Sequence, residues 1–284
     1  MKLVTFTDRA GTRVGLLTDD GIVDLAKADD GLPRDMISLI TGWADHRARV
    51  ESAVSRAADF PSAAVSLEAP VPRPGKIMAI GLNYADHIVE SGQTTPEHQV
   101  WFGKQVTAVN GPYAPILLPK VSTRLDYEAE LAVIIGARAK HVSRDDARSV
   151  IFGYCVGNDV SVRDWQMRTS QWIVGKSFDT HAPFGPAIVT ADEIDDPHTL
   201  GIRALVNGEK RQESNTANLV FSIYDQIAYL SQAMTLEPGD VIFTGTPGGV
   251  GAAMKPPKYL KAGDVTRIEI DKLGFIEARV VAEA

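Results

Sequence analysis

The chain of 284 residues contains one cysteine, Cys155. No disulfide can form within it, and the apolar setting IFGYCVG suits a small buried hydrophobe better than a reactive thiol. Long hydrophobic runs are missing too. Nothing approaches the roughly 18 apolar residues of a membrane-spanning helix, and the opening MKLVTFTDRAG meets charge within a few residues. A cytoplasmic protein without membrane contact is expected. Basic clusters are also lacking: 29 Lys and Arg stand against 36 Asp and Glu, a formal charge of −7, and no cationic run is interleaved with aromatics. Nucleic acid is therefore not an expected partner. None of the six histidines stands at a zinc-ligand spacing from another histidine or a cysteine. The glycine-rich DVIFTGTPGGVG has neither the ending of a phosphate loop nor a dinucleotide fingerprint.

What is present is enough apolar sequence, 44% of residues, for a substantial core. Residues 1–70 read as a small amino-terminal domain. KLVTFTD, RVGLL and GIVDLA are strand candidates with a hairpin signal at Asp20-Gly21, and a helical stretch follows from Met36 to Ala58 with a break at Gly42. Pro70, Pro72 and Pro74 cannot continue a helix or enter a central strand, so the boundary with a main domain of residues 71–284 is placed there. From Lys76 onward short β-rich runs dominate, with helical pattern only at Tyr84 to Glu90, Arg144 to Val150 and Leu219 to Met234. This spacing predicts an α+β fold built on a rolled or barrel-like mixed sheet rather than a doubly wound βαβ array. L-x-x-G-D-V occurs at Leu236 and again at Leu260, which reads as one turn-into-strand solution used twice.

Four constellations could carry chemistry. In DYEAELAVIIG, Glu128 and Glu130 share a strand face while Tyr127, Ala129 and Leu131 point into packing. Asp159 follows in GNDVSVRD, and such carboxylates suit a hard divalent cation such as Mg²⁺ or Mn²⁺. His87 and Glu90, at i and i+3 on a short helix, could form an oriented general base. The same spacing also suits a surface pair closing a helix before Ser91-Gly92. Arg163, Gln166 and Lys176 offer donors for carboxylate or carbonyl oxygens, although each alone is commonly a solvated residue. In the glycine-rich loop, Thr246 adds a hydroxyl, and the backbone could approach a ligand or bind an anion; a plain tight loop fits equally.

Taken together, GLNYADHIVE, DYEAELAVIIG, GNDVSVRDWQ, GKSFDTHAPFGP and FTGTPGGVG, in this order from about Lys76 to the end, resemble the fumarylacetoacetate hydrolase family. The resemblance implies a mixed β-roll catalytic domain of that family's carboxy-terminal type, a small amino-terminal α+β domain and a homodimer. It implies Glu128, Glu130 and Asp159 as ligands of Mg²⁺ or Mn²⁺, and His87 with Glu90 as the dyad that activates water. Lys176 would polarise the substrate, and Arg163, Gln166 and Thr246 would line its oxygens. No upstream fourth aspartate is evident in the expected context, which favours the acylpyruvate-type branch over fumarylacetoacetate itself. The implied reaction is hydrolysis of the C3–C4 bond of a 2,4-dioxo acid, acylpyruvate-type or sugar-derived, to pyruvate and a carboxylic acid. In it, His87-activated water attacks C4, and the C3–C4 bond then breaks to release a metal-stabilised enolate of pyruvate. Oxaloacetate decarboxylation and 2-hydroxyhepta-2,4-diene-1,7-dioate isomerisation share that enolate and stand as alternatives. Trp101, Phe102 and Lys104 are expected to shape the distal pocket.

Overall fold

A computed structural model describes residues 1–284. Its largest sheet runs, from one edge, through Gly21–Asp24, Gly11–Thr18, Lys2–Asp8, Ala182–Thr190, Ile151–Asn158, Ala129–Ile135, Val241–Phe243, Ile77–Gly81 and Val100–Lys104. Neighbours along this path are antiparallel except Val241–Phe243 with Ile77–Gly81. A second sheet of five strands orders Glu209–Asn215, Gly201–Val206, Val265–Ile270, Gly274–Ala282 and Ile116–Leu118. The architecture is thus mixed and sheet-dominated α+β. No helix is long and apolar enough to cross a membrane.

The central strand shows how sequence alternation becomes two cores. Tyr127, Ala129, Leu131, Val133 and Ile135 pack in one apolar cluster with Ile202, Ile268 and Ile276 of the second sheet. Ala132 and Ile134 pack in another with Leu3, Leu16 and Leu39 of the amino-terminal segment. Period-two geometry allows both faces to be buried at once. Each fully buried Leu or Ile contributes roughly 1.5–3 kcal/mol relative to exposure.

The amino-terminal hairpin forms as expected, with Thr18 paired to Gly21 across a two-residue turn. Its first strand also continues the large sheet, Lys2 opposite Val189 and Leu3 opposite Ile188, so residues on both sides of the proline-rich stretch share one sheet and one core. The helical stretch divides at Gly42 into Met36–Thr41 and Trp43–Ala53. Both L-x-x-G-D-V phrases make the same turn. Gly239 and Gly263 take φ of +85° and +98°, and Asp240 and Asp264 accept from the N–H of Glu237 and Lys261 at 2.6 and 2.8 Å.

Two helical expectations change. Arg144 to Val150 gives only a 3₁₀ turn, Ala147–Val150. Ser143 Oγ there accepts from Asp146 N–H at 3.1 Å and donates to its carboxylate at 2.7 Å, local bonds that compete with a helix. Leu219 to Met234 shortens to Ile223–Ala233, started by a capping box between Ser222 and Asp225.

Candidate active site

Antiparallel register places Ala129 opposite Asn158, which carries Glu128 and the residue after the partner strand, Asp159, to the same end of the sheet. Asp159 N–H donates to Glu128 O at 2.9 Å, and Glu128 N–H donates to Asn158 Oδ1 at 3.0 Å. Carboxylate oxygens of Glu128, Glu130 and Asp159, all buried, lie within 4.8 Å of one another. The strand-face reading of the glutamate pair therefore extends to a third acid through register.

Cations knit this cluster. Lys176 Nζ donates to Glu128 Oε2 at 2.7 Å and Asp159 Oδ2 at 2.8 Å, keeping its third N–H free. Lys104 Nζ donates to Asp159 Oδ1 at 2.5 Å and to Val160 O at 3.2 Å. Arg163 meets Glu128 Oε1 at 2.6 Å and Asp126 Oδ2 at 2.8 Å, and its Nη1 donates to Gln166 Oε1 at 3.0 Å. Its buried Nη2 has no partner.

Counting Asp126, Glu128, Glu130 and Asp159 against Lys104, Lys176 and Arg163 leaves one net negative charge when all are ionised. The excess falls on Glu130, whose recorded hydrogen bond comes from Gly245 N–H at 2.7 Å. Burial, then the charges of Asp159 and Glu128, hold its carboxyl well above the ordinary carboxylate range. Burial would also raise Glu128, but Lys176 and Arg163 outweigh it and hold that carboxyl well below. Three oxygen donors with surplus negative charge fit a hard divalent cation and would relieve Glu130 on binding it.

The helix Ala85–Glu90 presents the dyad at this cluster's cavity. His87 Nδ1 lies 2.8 Å from Glu90 Oε1, so an ionised Glu90 fixes the Nδ1–H tautomer and leaves the Nε2 lone pair free. Glu90 is itself fixed by Gly249 N–H on Oε2 at 2.7 Å. A Cβ on Gly249, at φ +102°, would stand 2.1 Å from Arg211 O, so only glycine allows this approach.

The glycine-rich loop does bind anions through its amides, but they are the chain's own carboxylates. Gly245 serves Glu130, Gly248 serves Asp86, Gly249 serves Glu90, and Gly251 and Ala252 serve Asp126. Thr246 Oγ1 accepts from Gln212 Nε2 at 2.8 Å.

A cavity of about 580 Å³ brings together His87, Glu90, Glu128, Glu130, Arg163, Gln166, Lys176 and Thr246. Asp159, fully buried, completes the cluster without lining it. Of the three residues expected at the distal pocket, Phe102 lines this cavity. Trp101 instead packs against the main core and donates to Gln99. Lys104 is 3% exposed under Asp159, because Val100–Lys104 is an edge strand paired with Ile77–Gly81. Sequence reasoning also passed over Asp126, although it continues the every-second-residue pattern of Glu128 and Glu130.

Such a fold and site bring a carboxylate cluster suited to a divalent cation and the His87–Glu90 pair to one cavity. The chain belongs to the fumarylacetoacetate hydrolase family: residues 76–281 match the model of the fumarylacetoacetate hydrolase C-terminal domain. The mitochondrial oxaloacetate tautomerase of Xenopus laevis is 45% identical over 288 aligned residues, covering 99% of this chain and 90% of that protein. The human mitochondrial oxaloacetate tautomerase is 42% identical, covering 99% and 92%. Among solved structures, maleylpyruvate hydrolase from Sphingobium sp. SYK-6, in complex with manganese(II) ion and pyruvate, is 38% identical with a TM-score of 0.85 and full coverage of both chains. The 2-hydroxyhepta-2,4-diene-1,7-dioate isomerase of Mycobacterium marinum is 30% identical at a TM-score of 0.78, covering 100% and 99%. Family membership and a site suited to a divalent metal thus agree with the sequence reading. The relatives include a tautomerase, a hydrolase and an isomerase.

Proposed function

We propose that this chain is a divalent-metal-dependent enzyme of 2-oxo acids, using Mg²⁺ or Mn²⁺, and that its reaction is keto–enol tautomerisation of oxaloacetate. The observation that carries the reading is the His87–Glu90 pair, held in one tautomer and facing a carboxylate cluster with surplus negative charge across one cavity. The Xenopus laevis and human relatives, 45% and 42% identical over nearly the whole chain, are oxaloacetate tautomerases.

A divalent cation held by Glu128, Glu130 and Asp159 would supply Lewis-acid stabilisation of charge developing on a substrate oxygen. Arg163, with its free Nη2, and Gln166 hold the substrate carboxylate. In the keto-to-enol direction the C3–H bond breaks as His87 Nε2 takes the proton, and Glu90 stabilises the resulting imidazolium. The electron pair moves to the 2-oxo oxygen, where the third N–H of Lys176 donates. Protonation of that oxygen from solvent completes the enol, and the His87 imidazolium returns its proton to solvent.

Hydrolysis of the C3–C4 bond of a 2,4-dioxo acid is the second reading, with His87 taking its proton from water instead of carbon. The likeness to a maleylpyruvate hydrolase favours it, as does a cavity of about 580 Å³, ample for more than a four-carbon acid.

One assay separates the readings: enol loss from oxaloacetate and pyruvate release from oxaloacetate and an acylpyruvate panel, with Mg²⁺ and then with chelator. Metal-dependent acceleration of enol loss without pyruvate is expected, and His87→Ala should reduce it about 10²- to 10⁴-fold. Stoichiometric pyruvate from a 2,4-dioxo acid without tautomerase acceleration would assign hydrolysis, and pyruvate from oxaloacetate would assign decarboxylation.

A further inference from the structure

In the lining of the cavity, two polar side chains stand without partners. Leu125 and Leu260 form an antiparallel bridge, Leu260 N–H donating to Leu125 O at 2.8 Å. Their side chains are buried, 0% and 2% exposed. Side chains alternate along extended backbone, so the flanking Arg124 and Tyr259 turn to the opposite face, where both line the cavity.

Every other strong cation of the lining is committed. Lys176 holds Glu128 and Asp159, and Arg163 holds Glu128 and Asp126. Arg124 pairs with no acid. Asp164, which also lines the cavity, accepts from Ser122 Oγ at 2.5 Å and sits 3.9 Å from Arg168.

Charge arithmetic gives that free guanidinium a purpose. The inner cluster carries one net negative charge. A divalent cation and the carboxylate of a 2-oxo acid would bring it to neutrality. A second carboxylate on the substrate would then be uncompensated within the inner site, at a cost that only another cation could offset. Arg124 supplies it, with a planar fork matched to a carboxylate and the Tyr259 hydroxyl as a further donor.

We propose that Arg124, assisted by Tyr259, is the receptor for the far carboxylate of the substrate and selects 2-oxo dicarboxylates over 2-oxo monocarboxylates. This deepens the 2-oxo acid reading above and rests on it.

The test is equilibrium binding to the Mg²⁺-loaded protein, by calorimetry, of 2-oxo diacids of four to seven carbons, each against the monoacid of equal length. The wild type should prefer at least one diacid by about 10- to 100-fold, the worth of hydrogen bonds to a charged group. Arg124→Gln should erase that preference and leave monoacid affinity unchanged, and Arg124→Lys should keep part of it. A variant that weakens diacid and monoacid alike, or neither, overturns the proposal, as does a wild type with no diacid preference. If the wild type binds no 2-oxo acid of either kind, the underlying reading fails and the inference falls with it. Arg124 is exposed, so its replacement should leave folding intact.

Discussion

Arg13 and Glu130 are both buried charges on strands of the large sheet, 6% and 1% exposed, yet one is matched by opposite charge and the other is not. Arg13 donates to Asp24 at 2.7 Å, to both oxygens of Asp8 at 2.7 and 2.9 Å, and to Gly11 O at 2.9 Å. Its guanidinium also lies 4.5 Å from the centre of the Phe6 ring. The hydrogen bond from Arg13 holds the Asp8 carboxyl down at about 2. Glu130 has one backbone donor and two negative neighbours. A cluster whose acceptors are all used contributes to stability and has nothing left to bind with. One with an acid left over gives up some stability and keeps the capacity to take a cation.

The contrast breaks first at Glu130. Glu130→Gln keeps the shape and an acceptor for Gly245 N–H but removes the surplus charge. Turnover should fall by at least about 10³-fold, the scale of losing Lewis-acid stabilisation. The protein in chelator should be no less stable than the wild type, because the ionised acid was unfavourable where it stood. Melting with and without saturating Mg²⁺ is the second readout. The wild type should gain about 2.7 kcal/mol at a hundred times Kd, and the variant should gain almost nothing. A Glu130→Gln protein with the full metal-dependent shift would remove this residue from the ligand set.

Arg13→Met should do the reverse. It leaves Asp24, 1% exposed, as a buried acid without its cation, and should cost about 3 kcal/mol in denaturant unfolding. Turnover per folded molecule and the metal-dependent shift should both be unchanged. Loss of activity beyond loss of folded protein would show that the amino-terminal hairpin acts on the site through the sheet it extends.

How much of this could be read from residues alone follows from sequence distance. Glu128 and Glu130 were legible because a strand repeats every two residues, and His87 with Glu90 because a helix brings i and i+3 together. Asp159 could be read as a third carboxylate in GNDVSVRD, but what seats it beside Glu128 is cross-strand register, which no local pattern encodes. Lys104 is expected at the distal pocket, and only its partner 55 residues away places it beneath the carboxylate cluster instead. The loop after Phe243 announced close backbone approach through its glycines. It could not announce that Asp86, Glu90, Asp126 and Glu130 are what approaches. Likewise, the proline-rich stretch near residue 70 reads as a divider, while the pairing of Lys2 with Val189 joins what it divides.

A third buried titratable group sharpens the comparison through pH. His181 is fully buried and stacks on Phe178 at 5.5 Å. Its Nε2 lies 2.8 Å from Leu117 O, to which it donates, and Nδ1 has no partner. It is neither paired with an acid, like Arg13, nor placed to meet a cation. Burial lowers its pKa from 6.5 to about 4, with the Leu117 bond opposing and Lys104 adding. The unfolded chain therefore binds a proton that the folded protein refuses between these values. Stability from this group is complete above pH 6.5 and is lost as pH falls toward 4, by roughly 2–3 kcal/mol. The Asp8–Arg13 pair contributes none of that slope, since Asp8 stays ionised down to about 2. Denaturant unfolding in chelator at pH 7, 6, 5 and 4.5 should show a shallower acid decline for His181→Gln than for the wild type, while Arg13→Met should lie farthest below the wild type at pH 7 and approach it as the uncompensated Asp24 takes up a proton. Parallel curves for wild type and His181→Gln would mean that the imidazole takes up its proton in the folded state near its ordinary pKa.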